Sequence, residues 1–208
     1  MSADPTFWNN VAEKYAASPV ENPEAFDRKT EVTLSHLTPE STVLDVGCGT
    51  GSFALRLAPH VQAVHGLDLS SEMVRIAKDK AADVPNVTFH TGPFDASFTA
   101  IEDGQLDMLC AYSLLHLVQD RAAVLNQMYR LLKPGGIFVS STACLGEDWV
   151  PYGLILPVMQ FFGKAPFVQL LRVSTVMDDI RTAGFIDVSL VDVGAKASTA
   201  FIVARKAG

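Results

Sequence analysis

The stretch Val43-Leu44-Asp45-Val46-Gly47-Cys48-Gly49-Thr50-Gly51-Ser52-Phe53-Ala54-Leu55, VLDVGCGTGSFAL, decides how the rest of the chain is read. An apolar run ends on an acid. Three glycines follow at alternate positions, then an apolar segment with helical spacing. One glycine is enough to turn a chain. The others lack a Cβ, reach positive φ and let a ligand approach the backbone. A glycine-rich turn between a strand and a helix is where open α/β sheets place their crevice. The spacing alone is a weak signal, because purely structural turns use similar runs. A dinucleotide site prefers G-x-G-x-x-G, and here the third glycine comes one position early, which argues against a nicotinamide-dependent oxidoreductase.

A second acid strengthens the reading. Gly66-Leu67-Asp68-Leu69-Ser70 puts Asp68 at the end of the next strand, where a carboxylate accepts two ribose hydroxyls. The plain alternatives are a turn cap for Asp45 and a helix N-cap for Asp68.

Outward from this motif, strands and helices alternate. Strands are expected at 42–46, 62–67, 86–90, 106–111 and 137–141. Helices are expected over 52–58, after Ser70, and from Asp120 to Lys133-Pro134-Gly135-Gly136, where Gly135 and Gly136 are turn residues. This order predicts βαβ units and a mostly parallel sheet covered by helices on both faces. Upstream, Phe7, Trp8, Val11, Ala12 and Tyr15 recur at helical spacing. Asn22-Pro23-Glu24 then starts a helix reaching to about Leu37. Downstream, Ser174 or Thr175 caps a helix that stops at Gly184. Strands at 187–193 and 199–204 form a hairpin, so the last strand is antiparallel.

Composition narrows the class. The chain has 208 residues, 49% apolar and 19% charged, enough for a single globular domain. Its formal net charge of −7 and the lack of a basic run disfavour nucleic acid as a partner. Three widely spaced cysteines, Cys48, Cys110 and Cys144, form no metal-binding pattern and suit a reducing, cytoplasmic setting. No basic-then-apolar leader opens the sequence. Val150 to Leu171 is long enough to span a bilayer, but Pro151, Pro157, Pro166, Gly153, Gly163 and Lys164 interrupt it. A cover over a pocket, a dimer contact or plain core are its readings, not stable membrane insertion.

Taken together, "VLDVGCGTG", "GLDLSSEM", "LDMLCAYSLLHLV" and "LLKPGGIFVS", in this order, resemble the class I S-adenosylmethionine-dependent methyltransferases, in particular their small-molecule, type 11-like group. The helix, "TAGF" and the two tail strands resemble that family's C-terminal end. The resemblance implies a Rossmann-like, doubly wound, seven-stranded sheet with the last strand antiparallel. It divides the chain into a helical cap (1–38), a cofactor-binding core (42–141), an apolar insert over the acceptor pocket (145–172) and a C-terminal helix and hairpin (174–208).

It also implies roles. The backbone of Gly47, Cys48, Gly49 and Gly51 would face the methionine part of S-adenosylmethionine, with Asp45 near its amino group. Asp68 would take the ribose hydroxyls, with Leu69 and Met73 beside the adenine. The family often has Gly-Asp-Ala after the third strand, the aspartate reaching the adenine amine. This chain has Gly92-Pro93-Phe94-Asp95 instead. Pro93 cannot serve, so Phe94 or Asp95 would. Tyr112 would neighbour the cofactor, and Tyr15 would cover its methionine end, whereas Trp8 reads as core. Lys29 pairs with a carboxylate of cofactor or acceptor, or is a solvated charge. His116 is the candidate catalytic base, with a packing or capping histidine as its rival, and the reaction does not require a base. The acceptor is expected to be a small, apolar or aromatic molecule, the protein a monomer or homodimer, and no metal is needed. A non-catalytic S-adenosylmethionine sensor on the same fold is the rival class.

Overall fold

The computed structural model describes residues 4–208, so the first three residues of the N-terminal cap lie outside the described residues. Seven strands form one sheet: β1 (Thr42–Val46), β2 (Ala63–Asp68), β3 (Val87–Thr91), β4 (Leu106–Tyr112), β5 (Leu132–Ala143), β6 (Phe185–Leu190) and β7 (Thr199–Lys206). Their order is β3-β2-β1-β4-β5-β7-β6. All neighbours from β3 to β5 are parallel, and β7 runs antiparallel between β5 and β6. The expected sheet and its antiparallel last strand are therefore present.

The helices are α1 (Thr6–Ala17), α2 (Pro23–Leu34), α3 (Ser52–Leu57), α4 (Ser71–Lys80), α5 (Arg121–Leu131), α6 (Tyr152–Phe161) and α7 (Val173–Thr182). Alternation along the strands sorts the core into two faces. Leu44, Leu109 and Phe138 pack with Leu125, Met128 and Leu131 of α5 and Val176 and Ile180 of α7. On the other face Val43, Cys110 and Val139 pack with Phe53, Ala54 and Leu57 of α3 and with Val74 and Ala77 of α4. A third, smaller cluster seats α1 on α4, with Ala12 against Met73 and Ile76 and with Trp8 and Val11 beside them. Trp8 is half-buried against this cluster, in keeping with its reading as a packing residue.

Local capping follows the sequence where a polar side chain is free to cap. Asn22 accepts from the Ala25 N–H, Ser70 from Met73 and Asp120 from Ala123. The start of α7 differs from expectation. Neither Ser174 nor Thr175 caps it. The helix begins at Val173, whose N–H donates 3.1 Å to the Glu147 carboxylate, a long-range cap that no local motif announces. α2 ends at Leu34, with two further turn bonds carrying the chain to Leu37. β5 is longer than its apolar run because it takes in the Lys133–Gly136 turn. β6 starts earlier than expected and shifts register after Ile186, where Asp187 takes a φ of 55°.

Candidate active site

The strand order reverses beside β1, so its C-terminal end opens the crevice of the sheet. The loop leaving β1 is tied to β2: the N–H groups of Gly47 and Cys48 both donate to the Leu67 carbonyl, at 2.7 and 3.1 Å. The three glycines have φ of 75°, 53° and 74°. Their surroundings separate their purposes. A Cβ on Gly51 would lie 2.6 Å from the Phe89 ring and 2.9 Å from the Ala77 Cβ, so this glycine lets α3 pack against β3 and α4. A Cβ on Gly47 would meet Leu114 at 3.0 Å. At Gly49 nothing stands within 4 Å, so this glycine alone faces open space.

Asp68 fixes that loop from β2. Its Oδ2 accepts from the Gly49 N–H at 2.8 Å and its Oδ1 from the Ser70 N–H at 2.9 Å. Each carboxylate oxygen keeps a further lone pair. Burial pushes the Asp68 pKa up, while the N–H groups of Ser70, Gly49 and Leu69 oppose the rise. Asp45, at the end of β1, is buried, and its Oδ1 has no hydrogen-bond partner among the described residues. Burial first, and then the Asp68 charge, raise its pKa to about 7. Burial and the nearby acids also push the Cys48 thiol well up, so it is no thiolate.

Around this centre, Tyr15 stands at the rim. The residue is 55% exposed, while the pKa of its phenol is raised by desolvation, then by Asp68 and Asp45. Leu69 is half-buried and Met73 buried under α1. Phe94 is half-buried, its ring 5.8 Å from the Phe98 ring, and the N–H of Gly92, two residues before it, donates to the Asp68 carbonyl. Asp95 is exposed and turned back on its own loop, accepting from the N–H and hydroxyl of Ser97. Tyr112 is engaged elsewhere. It stacks on Phe53 at 4.0 Å, and its hydroxyl bonds to Thr33 Oγ1 at 2.8 Å and the Lys29 carbonyl at 3.3 Å, which fastens α2 to β4.

His116 sits in a short 3-10 turn (Leu115–Leu117) after β4, its carbonyl accepting from the Gln169 N–H. Its Nδ1 is buried without a partner among the described residues, and desolvation lowers its pKa to about 4. The imidazole is therefore neutral and a weak base. Among the other histidines, His65 and His90 face each other across β2 and β3 at 3.4 Å, a pairing their spacing did not reveal.

Three polar side chains of this region were not singled out by sequence. Asn9 of α1 accepts from the Ser70 hydroxyl at 2.7 Å and the Glu72 N–H at 3.3 Å, joining α1 to the start of α4 beside Asp68. Ser141 and Thr33 hold Lys29 and Tyr112. The only hint in the sequence is a polar residue on an otherwise apolar face. Lys29 itself is half-buried, not a solvated charge.

Comparison with known proteins agrees with this geometry. A family described as a methyltransferase domain matches residues 43–136. A demethylmenaquinone methyltransferase of Staphylococcus epidermidis is 31% identical over 175 residues, 76% of this chain and 69% of the relative. Another of the same name from Lactiplantibacillus plantarum is 33% identical over 141 residues, 65% of this chain and 57% of the relative. The chain thus spans between about half and about two thirds of these relatives' lengths. Among solved structures, a phosphoethanolamine N-methyltransferase of Haemonchus contortus, in complex with phosphomonomethylethanolamine and S-adenosylhomocysteine, superposes with a TM-score of 0.72 at 17% identity, covering 88% of this chain and 53% of that one.

Proposed function

This chain belongs to the class I S-adenosylmethionine-dependent methyltransferase family, and from that premise we propose that it transfers a methyl group from S-adenosylmethionine to a small organic acceptor by direct in-line displacement. The observation that supports the reading is the buried Asp45 Oδ1, without a partner among the described residues, beside a loop whose Gly49 faces open space. A buried carboxylate without a partner is unfavourable, and a cationic ligand removes the penalty. S-adenosylmethionine offers such a group in its ammonium, and hydroxyls for the free lone pairs of Asp68.

When bound, S-adenosylmethionine supplies a methyl on a positively charged sulfur, and with it most of the reactivity. The chain's own part is alignment. Asp45 would hold the ammonium, and Asp68 would hold the ribose while keeping the Gly49 turn in place. Tyr15 would cover the methionine end, and Leu69, Met73 and Phe94 would flank the adenine. Orientation of this kind contributes on the order of 7–11 kcal/mol, so no strong base is required.

An apolar or aromatic acceptor suits the apolar segment between β5 and α7. The names of the two relatives point to an acceptor of the quinone class. The three cysteines, free and buried, suit a reducing cytoplasmic setting.

Calorimetric titration with S-adenosylhomocysteine and, separately, with NAD tests the cofactor. Binding of the first alone is expected, and binding of NAD alone would overturn the reading. Asp68→Ala is expected to weaken S-adenosylhomocysteine by about 1–3 kcal/mol, the cost of unpaired buried groups. Radiolabelled methyl turnover over a panel of acceptors then separates an enzyme from a cofactor sensor.

A further inference from the structure

Among the described residues, Lys29 is a cation without an anion. It lies on α2, half-buried, and its Nζ donates 2.9 Å to the Ser141 hydroxyl. It takes part in no ion pair among the described residues. Desolvation lowers its pKa. An ammonium has three donors, and one of them is used here. Removing such a charge from water without a counter-ion is unfavourable, so its retention calls for an explanation.

Its position gives one. Ser141 lies near the end of β5 and pairs in register with Tyr112 of β4. Two residues back on the same strand, Cys110 pairs with Asp45 of β1, the next strand. Across the C-terminal edge of the sheet the polar groups therefore run Asp68, Asp45, Tyr112, Ser141. The first two belong to the cofactor crevice proposed above. At a strand spacing of 4.7–4.9 Å, β5 lies about 10 Å beyond β1, on the side left for the acceptor.

The lysine is also fixed in place. Its carbonyl accepts from Thr33 Oγ1 at 2.8 Å and from the Tyr112 hydroxyl at 3.3 Å, and Tyr112 is itself stacked on Phe53. A charge held by a clamped backbone suits recognition better than a mobile surface lysine does.

We propose that Lys29, with Ser141, binds an anionic oxygen of the methyl acceptor, an ionised phenol, enol or carboxylate. The inference rests on the methyltransferase reading and adds the acceptor's chemical class to it. A fixed ammonium favours the ionised form of an adjoining hydroxyl, whose proton passes to solvent. The site then presents an activated acceptor without a protein base, in keeping with the weak basicity of His116.

The test uses the full chain saturated with S-adenosylhomocysteine and two aromatic probes, 1-hydroxy-2-naphthoate and the neutral 2-methoxynaphthalene, with affinities read by calorimetry. The wild-type protein is expected to favour the anionic probe, and Lys29→Met to lose that preference by about ten- to a hundredfold, as for hydrogen bonds to charged groups. Lys29→Arg should keep most of it. S-adenosylhomocysteine affinity should be unchanged in both variants. Lys29→Met should melt no lower than wild type, since it removes an uncompensated charge. Should it not fold, Ser141→Ala gives the second reading, a smaller loss of the same preference. Equal affinity of wild type for both probes would overturn the proposal, as would a preference that survives both Lys29→Met and Ser141→Ala. So would weakened S-adenosylhomocysteine binding with an unchanged probe ratio, which would assign Lys29 to the cofactor's carboxylate. Failure of wild type to bind S-adenosylhomocysteine at all would instead overturn the methyltransferase reading, and this inference with it.

Discussion

The carboxylates of Asp45 and Asp68 leave neighbouring parallel strands toward one crevice, and only one of them is paired. Asp68 accepts from Gly49 and Ser70, whereas Asp45 Oδ1 accepts from nothing among the described residues. Asp68 is thus part of the scaffold as well as the ligand group proposed above. Asp45, on the same proposal, is held ready for a ligand at a cost in stability.

That cost is readable as a pH dependence. The Asp45 pKa rises from 3.8 to about 7 on folding, so between those values the folded chain binds more protons than the unfolded one. Stability contributed by Asp45 therefore falls as pH rises through this window, by at most about 4 kcal/mol. Thermal melts of the ligand-free protein should show the fall, and Asp45→Asn should flatten it. An ammonium-bearing ligand reverses the sense, because it favours the ionised form. S-adenosylhomocysteine should bind wild type more tightly as pH rises through about 7, and bind Asp45→Asn weakly at every pH. Calorimetry in buffers of different ionisation enthalpy would register the released proton.

The glycines predict two unlike failures. Gly51→Ala adds a methyl that overlaps Phe89 and Ala77 at a positive φ. Overpacking of about 1–3 kcal/mol and a left-handed backbone of about 1–2 kcal/mol should combine into a marked loss of melting temperature. Gly49→Ala meets no neighbour, so its stability should fall only by the backbone share. Its added methyl faces the crevice, and S-adenosylhomocysteine affinity should drop more than stability does. Equal effects on both properties in the two variants would contradict this division.

How much of this was legible beforehand depends on the range of the interactions. β1 was placed to the residue, since its apolar run and the glycine turn are local signals. Asn22, Ser70 and Asp120 were readable as caps for the same reason. Glu147 capping α7 across 26 residues was not, nor was the Thr33–Tyr112–Lys29 clamp, because such partners meet only once the sheet is assembled. The glycine motif itself indicated a ligand, while the distinct purposes of Gly51 and Gly49 needed Phe89 and Ala77 in three dimensions. For Tyr112, proximity in sequence to the crevice proved compatible with an orientation toward α2.

His116 should behave as a packed, neutral residue. Its pKa is depressed to about 4 by desolvation. The stability that depends on its neutral form is present above about 6.5 and lost as pH falls toward 4. His116→Leu should lessen that acid sensitivity in thermal melts. Methyl transfer near neutral pH should change by less than about tenfold, whereas a general base would give a loss of about 10²–10⁴.

α6 provides the last prediction. Tyr152, Leu156 and Gln160, four residues apart, form its half-buried face. Its remaining apolar side chains point outward: Leu154 is 76% exposed, Phe161 83%, and Phe162, just past the helix, 66%. No residue of the helix is buried, so this part of the segment expected to roof a pocket stands outside the core, while Leu171 at the segment's far end is buried in it. Contiguous apolar surface of this kind marks a contact site. Replacing Phe161 and Phe162 together by Ala should leave stability within about 0.5 kcal/mol, and S-adenosylhomocysteine affinity unchanged. If the acceptor's apolar body rests on these rings, its KM should rise by about tenfold or more with kcat kept, the signature of lost uniform binding. Acceptors too short to reach the rings should show no change. An unaltered KM for every acceptor in the panel would remove α6 from the acceptor site and leave its apolar face to a different contact.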